Sequence, residues 1–477
     1  MNLRAQVISG LGWVAGLRLI SQGFTWAVTL VVIRLLSPAD YGLLAMANVF
    51  IEFLAMIAEF GIGTAIIQAP EIDDRDLRTM FGFVIVVNLA LFAVMCLTAP
   101  LIAGVFREGR LVAVVRVLSV QYVLMIFSVM PQAQLSRKLD YRGPSLIELF
   151  AAIIASVTTL GLALSGMGVW ALVSGSLVAA LCRTVGLNLL SPFVTWPLFS
   201  FRGTRELLFY GGHVTAARIM WFFYSQADII VAGRWLGKDL LGVYSVSMHL
   251  ASLPARKVSA IVNQVSFPAF ARIQHDRPRY ASSFLLAVRS LSVVLFPVLW
   301  GLSSVAPEIV RVLLGDRWLS AIVPLQLLAL IMPVHMFAPF MNTAAQGFGR
   351  ADIAAKQVLV ASLVMPASFV VGSQWGLTGL AMAWVVGFPF VFIAAMRLFL
   401  PVIGLRMRDL LAAMGRPVLA SAGMMAAVTL VRIPLDSGIS PLTRMVVLIL
   451  AGAVTYATLT WFINHRGYRE IVGLVKG

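Results

Sequence analysis

Arg18 and Arg218 stand 200 residues apart, each within an apolar segment long enough to cross a membrane. A guanidinium in hydrocarbon is costly, so it is retained where it faces a polar pathway or an anionic partner. The same offset sets Arg34-Leu35-Leu36 against Arg234-Trp235-Leu236 and Asp40-Tyr41-Gly42 against Leu240-Leu241-Gly242. Two equivalent lobes are therefore expected, facing each other across a positively charged cavity. The chemistry on offer is capture of an anion by guanidinium forks.

Other polar residues recur at helical spacing around these arginines. The first span carries Arg18, Gln22, Thr25 and Thr29 on one face, and the seventh carries Arg218, Ser225 and Asp228. Asn48, Glu52 and Glu59 share a face of the second span. His249, Ser252, Arg256, Ser259 and Asn263 share one on the eighth, with Lys257 adjacent. Glu52 and Glu59 align with Ser252 and Ser259, again at 200. The pattern predicts a hydrated central cavity lined by Arg18, Arg218, Arg256, Lys257, Gln22 and His249.

Glu52, Glu59 and Asp228 are the candidates for ion coupling. A carboxylate held between desolvation and a nearby arginine is poised to exchange a proton. The alternative is a set of buried struts, for example Glu52 against Arg256 or Arg18. His335, Asn342 and Gln346 on the tenth span either line the cavity or tie helices together. His213 is open in the same way, and Arg289 either snorkels or pairs.

Catalysis is not expected. The five histidines are far apart and lack metal-ligand spacing, so neither metal nor cofactor is predicted. The outer loops are too short to carry a glycosyltransferase or polymerase site. The acidic run Glu71-Ile72-Asp73-Asp74-Arg75-Asp76 reads as a solvated loop. Cys96 and Cys182, inside apolar segments, read as free buried thiols.

The elements that position these residues follow from composition. Of 477 residues, 60% are hydrophobic and 12% charged, and the mean hydropathy is +0.94. That excludes a soluble protein. The net charge of +16 is scattered through short loops, without the basic domain or tail that grips nucleic acid. Apolar runs predict about fourteen spans, at 11–33, 42–64, 80–104, 113–133, 146–165, 168–190, 206–232, 241–267, 282–305, 319–345, 353–374, 377–400, 411–431 and 442–463. The first run lacks a cleavage site and reads as a retained span.

With the N-terminus inside, 21 of the 36 lysines and arginines fall on the cytoplasmic side and 10 outside, which places both termini in the cytoplasm. The repeat continues at an offset of 207, where Pro307-Glu308-Ile309 follows Pro100-Leu101-Ile102, and at 208, where Arg350 meets Arg142. Six spans per unit make the repeats parallel. The expected fold is an all-α polytopic membrane protein of two pseudo-symmetric six-helix lobes plus two C-terminal helices. Residues 1–190 form the N-lobe, 191–205 the linker, 206–400 the C-lobe and 401–477 the last two spans with a cytoplasmic tail.

Segments 33–44 (IRLLSPADYGLL), 233–244 (GRWLGKDLLGVY), 306–318 (APEIVRVLLGDRW) and 346–350 (QGFGR) resemble the polysaccharide transporter family. These are the Wzx-like flippases of the multidrug/oligosaccharidyl-lipid/polysaccharide superfamily. The resemblance implies alternating access by two six-helix lobes in a bacterial inner membrane. It implies an undecaprenyl-diphosphate-linked oligosaccharide as substrate, carried for exopolysaccharide, capsule or O-antigen synthesis. A polysaccharide polymerase and a chain-length regulator are the implied partners, besides membrane lipids. The cationic cavity suits the diphosphate. A MATE-like drug exporter, whose substrates are cationic, is expected to carry a more negative cavity. A lipid II flippase is chemically closer, and a membrane glycosyl- or acyltransferase is the alternative of another class.

Overall fold

The computed structural model describes residues 22–58, 73–137, 142–193, 195–199, 222–435 and 439–463, with the backbone alone at 57–58, 255–268 and 463. The described residues are helical and contain no strand. We number the helices in chain order. α1 spans Gln22–Leu35, and α2 is Pro38–Ala58, α3 Asp74–Phe106, α4 Leu111–Leu118, α5 Val120–Arg137, α6 Arg142–Leu164 and α7 Val169–Leu190. Residues 222–235 form α8. Then come α9 Gly237–Arg272, α10 Arg277–Ile309, α11 Ile322–Gly347, α12 Ala351–Ser373, α13 Gly376–Phe399, α14 Met407–Leu435 and α15 Pro441–Ile463.

Among the described residues, 11 helical stretches are long and apolar enough to cross a membrane, and α1 is a shorter apolar one. Helix falls within each of the fourteen expected segments. α9 is longer than most, at 36 residues, but carries Lys238, Asp239, Arg256, Lys257 and Arg272 along its length. Large apolar side chains such as Leu97, Leu101, Leu189, Leu363, Phe390 and Phe462 are exposed on the helix surfaces. Helices satisfy their own backbone groups and present such side chains to lipid. This is a multi-pass membrane protein.

One expectation is corrected at α3, which begins six residues ahead of the predicted span. Asp73 caps it, its Oδ1 accepting from the Asp76 backbone N–H at 2.6 Å. Asp74 and Asp76 occupy the first turn, where carboxylates complement the positive end of the helix dipole. From Asp73 onward the acidic run is a helix start, not a solvated loop; Glu71 and Ile72 lie outside the described residues. Cys96 and Cys182 are free thiols, half-buried where full burial was expected.

The chain forms two compact units. The first holds the described residues through Phe222 together with Gly237–Gly242; the second holds Phe223–Leu236 and the residues from Val243 onward. In the first unit, Phe81 and Val84 of α3 pack on Ile126, Met130 and Ala133 of α5. Val28 and Val32 of α1, with Leu36, pack on Ala163 of α6 and Ala171 of α7. The Tyr122 hydroxyl of α5 donates to the Ile51 carbonyl of α2 at 2.6 Å. The described part of the joining stretch docks on α3. The Leu198 N–H donates to the Arg78 carbonyl at 2.9 Å, and Arg78 Nε donates to the Trp196 carbonyl at 3.0 Å.

The second unit has an aromatic core in which Phe284 stacks on Phe340, with ring centroids 5.5 Å apart. The Tyr280 hydroxyl donates to the Ala344 carbonyl. α14 and α15, which fall outside the repeat, join this unit through an apolar cluster. In it Val305 of α10 meets Met424 and Val428 of α14 and Leu448 of α15.

Candidate functional site

The polar stripes read from the sequence are partly visible. On α1, Gln22, Thr25 and Thr29 are half-buried, and the Thr29 hydroxyl donates to the Thr25 carbonyl at 2.8 Å. On α2, Asn48 is half-buried and Glu52 exposed. On α9, His249 is exposed and the Ser252 hydroxyl donates to its carbonyl at 3.1 Å. Arg18, Glu59, His213 and Arg218 lie outside the described residues. Arg256 and Lys257 lie on α9, where only the backbone is described.

Asp228 is 3% exposed, packed among the helices of the second unit. Its Oδ2 accepts from the Tyr244 hydroxyl at 2.6 Å, and its Oδ1 from the Ile229 N–H at 2.9 Å. The indole N–H of Trp384 donates to the Tyr244 oxygen at 2.7 Å. The chain of donors thus runs from α13 through α9 to α8 and ends on the carboxylate. His335 stands beside it, its ring centroid 5.1 Å from Trp384 and 4.8 Å from Phe388. Its Nδ1 has no hydrogen-bond partner. Of the residues it was grouped with, Asn342 is half-buried and Gln346 exposed. Arg289, on α10, is half-buried.

Tyr244 and Trp384 were not singled out from the sequence, because an aromatic inside an apolar run reads as core. A signal was nevertheless available. Asp228 lies seven residues before Trp235, and Tyr244 seven residues after Gly237. The two are equidistant from the turn between α8 and α9, so a hairpin brings them level.

Four turns expected on one face of the membrane come together in the first unit. Glu108, following α3, accepts from Lys238 at the start of α9, and its other oxygen lies 3.3 Å from Arg110 Nε. The Glu108 carboxyl is held below its usual range, first by the hydrogen bond from Lys238 and then by those from Arg110, against some desolvation. A cavity of about 230 Å³ opens nearby, lined by Asp40, Arg110 and the turn Gly166–Trp170. The Asp40 carboxylate accepts from both the N–H and the hydroxyl of Ser37, at 3.0 and 2.6 Å, and so caps α2.

A second ion cluster, missed in the sequence, lies in the second unit. Glu308 at the end of α10 is 1% exposed. Arg432 of α14 grips it at two points, Nε to Oε1 at 3.1 Å and a terminal nitrogen to Oε2 at 3.0 Å. Arg444 of α15 lies 3.4 Å from Oε1. One buried carboxylate thus holds two guanidinium groups from the helix pair outside the repeat. Among the described residues, no group of three His, Cys, Asp or Glu is arranged to hold a metal ion.

Comparison with known proteins gives these arrangements a context. A family model described as polysaccharide biosynthesis protein matches residues 31–323. The teichuronic acid biosynthesis protein TuaB of Bacillus subtilis is 26% identical over 312 residues, which is 63% of this chain and 63% of that protein. The succinoglycan biosynthesis transport protein ExoT of Rhizobium meliloti is 26% identical over 345 residues, covering 72% of this chain and 70% of that one. The match thus spans just under two thirds of the first relative's length. Among solved structures, the lipid II flippase MurJ in an inward closed conformation superposes with a TM-score of 0.73 at 14% identity, covering 95% of this chain and 99% of that one. That likeness is one of fold.

Proposed function

The chain belongs to the polysaccharide biosynthesis protein family, and from that premise we propose that it flips a polyprenyl-diphosphate-linked oligosaccharide across a bacterial inner membrane. It serves exopolysaccharide, capsule or O-antigen synthesis and makes or breaks no covalent bond. The observation that carries the reading is the family match across residues 31–323 on a chain whose described residues hold 11 helical stretches long and apolar enough to cross a membrane. A relative named as a succinoglycan transport protein adds support.

The division of labour follows from charge. Arg18, Arg218, Arg256 and Lys257 attract the diphosphate, and a guanidinium can grip it with two parallel hydrogen bonds. Gln22 and His249 offer hydrogen bonds to the saccharide. The polyprenyl tail stays in lipid, so only the polar headgroup needs a hydrated path. Glu52, Glu59 and Asp228 are the groups that can couple the cycle to an ion gradient. Fourteen crossings, twelve of them in two parallel six-span lobes, residues 1–190 and 206–400, and two in residues 401–477, leave both termini in the cytoplasm. A polysaccharide polymerase and a chain-length regulator act on the delivered unit.

Depletion of the protein in cells tests this. Polymer export should stop while lipid-linked saccharide accumulates on the cytoplasmic leaflet. Undiminished export from depleted cells would remove the proposal.

A further inference from the structure

Three helices of the first unit, α2, α4 and α7, pack on one another and start around one cavity. Each start contributes one group to its wall. Asp40 lies in the first turn of α2, Arg110 immediately precedes α4, and Trp170 follows the Gly168 turn at the start of α7. Val114 and Val169, both buried, supply an apolar part of the same wall. The volume of about 230 Å³ is below the roughly 300–1,000 Å³ of pockets for drug-sized ligands. It has room for one sugar ring but not for an oligosaccharide.

The two charged groups are only half engaged by the protein. Asp40 Oδ2 accepts from Ser37, while Oδ1 makes no hydrogen bond among the described residues. A Cβ on Gly168 would sit 2.9 Å from that Oδ1, at a φ of +56°, so a glycine keeps the oxygen uncrowded. Arg110 meets Glu108 through Nε, which leaves its terminal nitrogens without a hydrogen bond among the described residues. The carboxylate only accepts and the guanidinium only donates. An anion would be repelled by Asp40 and a cation by Arg110, and an apolar ligand would strand both. A sugar hydroxyl both donates and accepts, and the C–H face of a sugar ring covers the apolar body of an indole.

Two comparisons separate Trp170 and Asp40 from what the fold requires. Trp196, Trp235, Trp375 and Trp461 are exposed, as interfacial anchors are, whereas Trp170 is half-buried. In the internal repeat, Gly376 stands at the place of Gly168, but Thr378 stands at that of Trp170 and Leu240 at that of Asp40. The matching positions of the second lobe thus do without indole and carboxylate.

We propose that this cavity is a subsite for one sugar ring of the transported saccharide, with Trp170 against the face of the ring and Asp40 and Arg110 bonding its hydroxyls. It rests on the transport reading above, whose topology puts these three helix starts outside, where the headgroup is delivered.

The test uses the full chain in detergent. The probe is the repeat-unit oligosaccharide freed from its polyprenyl diphosphate by mild acid, and binding is read by saturation-transfer NMR. Saturation should pass most strongly to the C–H protons of one ring, and intact lipid-linked saccharide should displace the probe. Trp170→Leu keeps an apolar wall without the indole, and Ala113→Trp fills the cavity from an exposed lining position. Each should weaken binding by about tenfold or more. Undiminished binding by Ala113→Trp would place the sugar elsewhere and overturn the subsite, even if Trp170→Leu fails to fold. A probe that the lipid-linked saccharide does not displace would overturn it too. Flipping by the same preparation in liposomes separates the two readings. A parent protein that flips lipid-linked saccharide but does not bind the probe loses the subsite alone, whereas one that does not flip loses the flippase reading and the subsite with it.

Discussion

Arg432 closes a two-point grip on Glu308 across 124 residues of sequence, with hydrogen bonds of 3.1 and 3.0 Å to a carboxylate that is 1% exposed. With Arg444 on the same group, the pair α14 and α15 is bound to α10 by charge as well as by apolar packing. Removing the anion strands two guanidinium groups, and breaking a buried pair costs about 3–5 kcal/mol. Glu308→Gln should therefore lower the unfolding midpoint in detergent markedly. Adding Arg432→Met should recover part of the loss, because one stranded charge is then gone. An unchanged midpoint in Glu308→Gln would show that the cluster contributes little.

The Trp384–Tyr244–Asp228 chain makes a separate prediction. Tyr244→Phe removes the hydroxyl that donates to Asp228 and accepts from Trp384. A hydrogen bond to a charged group is worth about 1.5–3 kcal/mol, and a loss of that order is expected in equilibrium unfolding. Transport separates the structural role from ion coupling. If Asp228 couples, Asp228→Asn abolishes the dependence of transport on the ion gradient while saccharide binding persists. If Glu52 couples instead, Glu52→Gln does so, and Asp228→Asn changes stability alone.

Glu108 gives a pH dependence with a definite sign. Its carboxyl is held below the usual range, chiefly by Lys238. Its stabilising contribution is therefore fully present above the unfolded value of about 4.3 and is lost as pH falls through the depressed folded value. Stability should be insensitive to this group near neutrality and fall only in acid. Lys238→Met should raise the Glu108 pKa, moving that acid loss upward in pH. A pH profile identical to that of the parent protein would contradict the assignment. The effect is small, roughly 0.2–1 kcal/mol for a partly exposed pair.

The arginines of the expected cavity are tested by function. Arg18→Ala and Arg218→Ala should each impair export of lipid-linked saccharide with near-normal protein levels. Lysine should rescue only in part, because an ammonium lacks the planar fork that grips a phosphate at two points. Full export by the double alanine variant would reduce both to structural residues.

The helical segments were legible because a bilayer demands a long apolar run, and helix lies within all fourteen that were expected. The start of α3 was misread because Asp73, Asp74 and Asp76 look like a loop by charge alone, although a capping residue and an acidic first turn also begin helices. One pair matched at the 200-residue offset, Gly42 and Gly242, also meets in space, backbone against backbone. Partners of buried charges were not legible. Glu308 and Arg432 are far apart in sequence, and only the packing of α10 against α14 decides that they meet. Asp228 was read as facing a hydrated cavity, whereas its described partners are Tyr244 and a backbone N–H inside the second unit.

The most direct test is a flipping assay with the purified protein in liposomes carrying fluorescent polyprenyl-diphosphate oligosaccharide in one leaflet. The account predicts protein-dependent appearance of the headgroup at the opposite surface, with the pyrophosphate bond and the saccharide intact. Lipid II should cross more slowly, and cationic drugs should not be moved. Transport of cationic drugs without movement of the lipid-linked saccharide would contradict the account, as would cleavage or extension of the sugar.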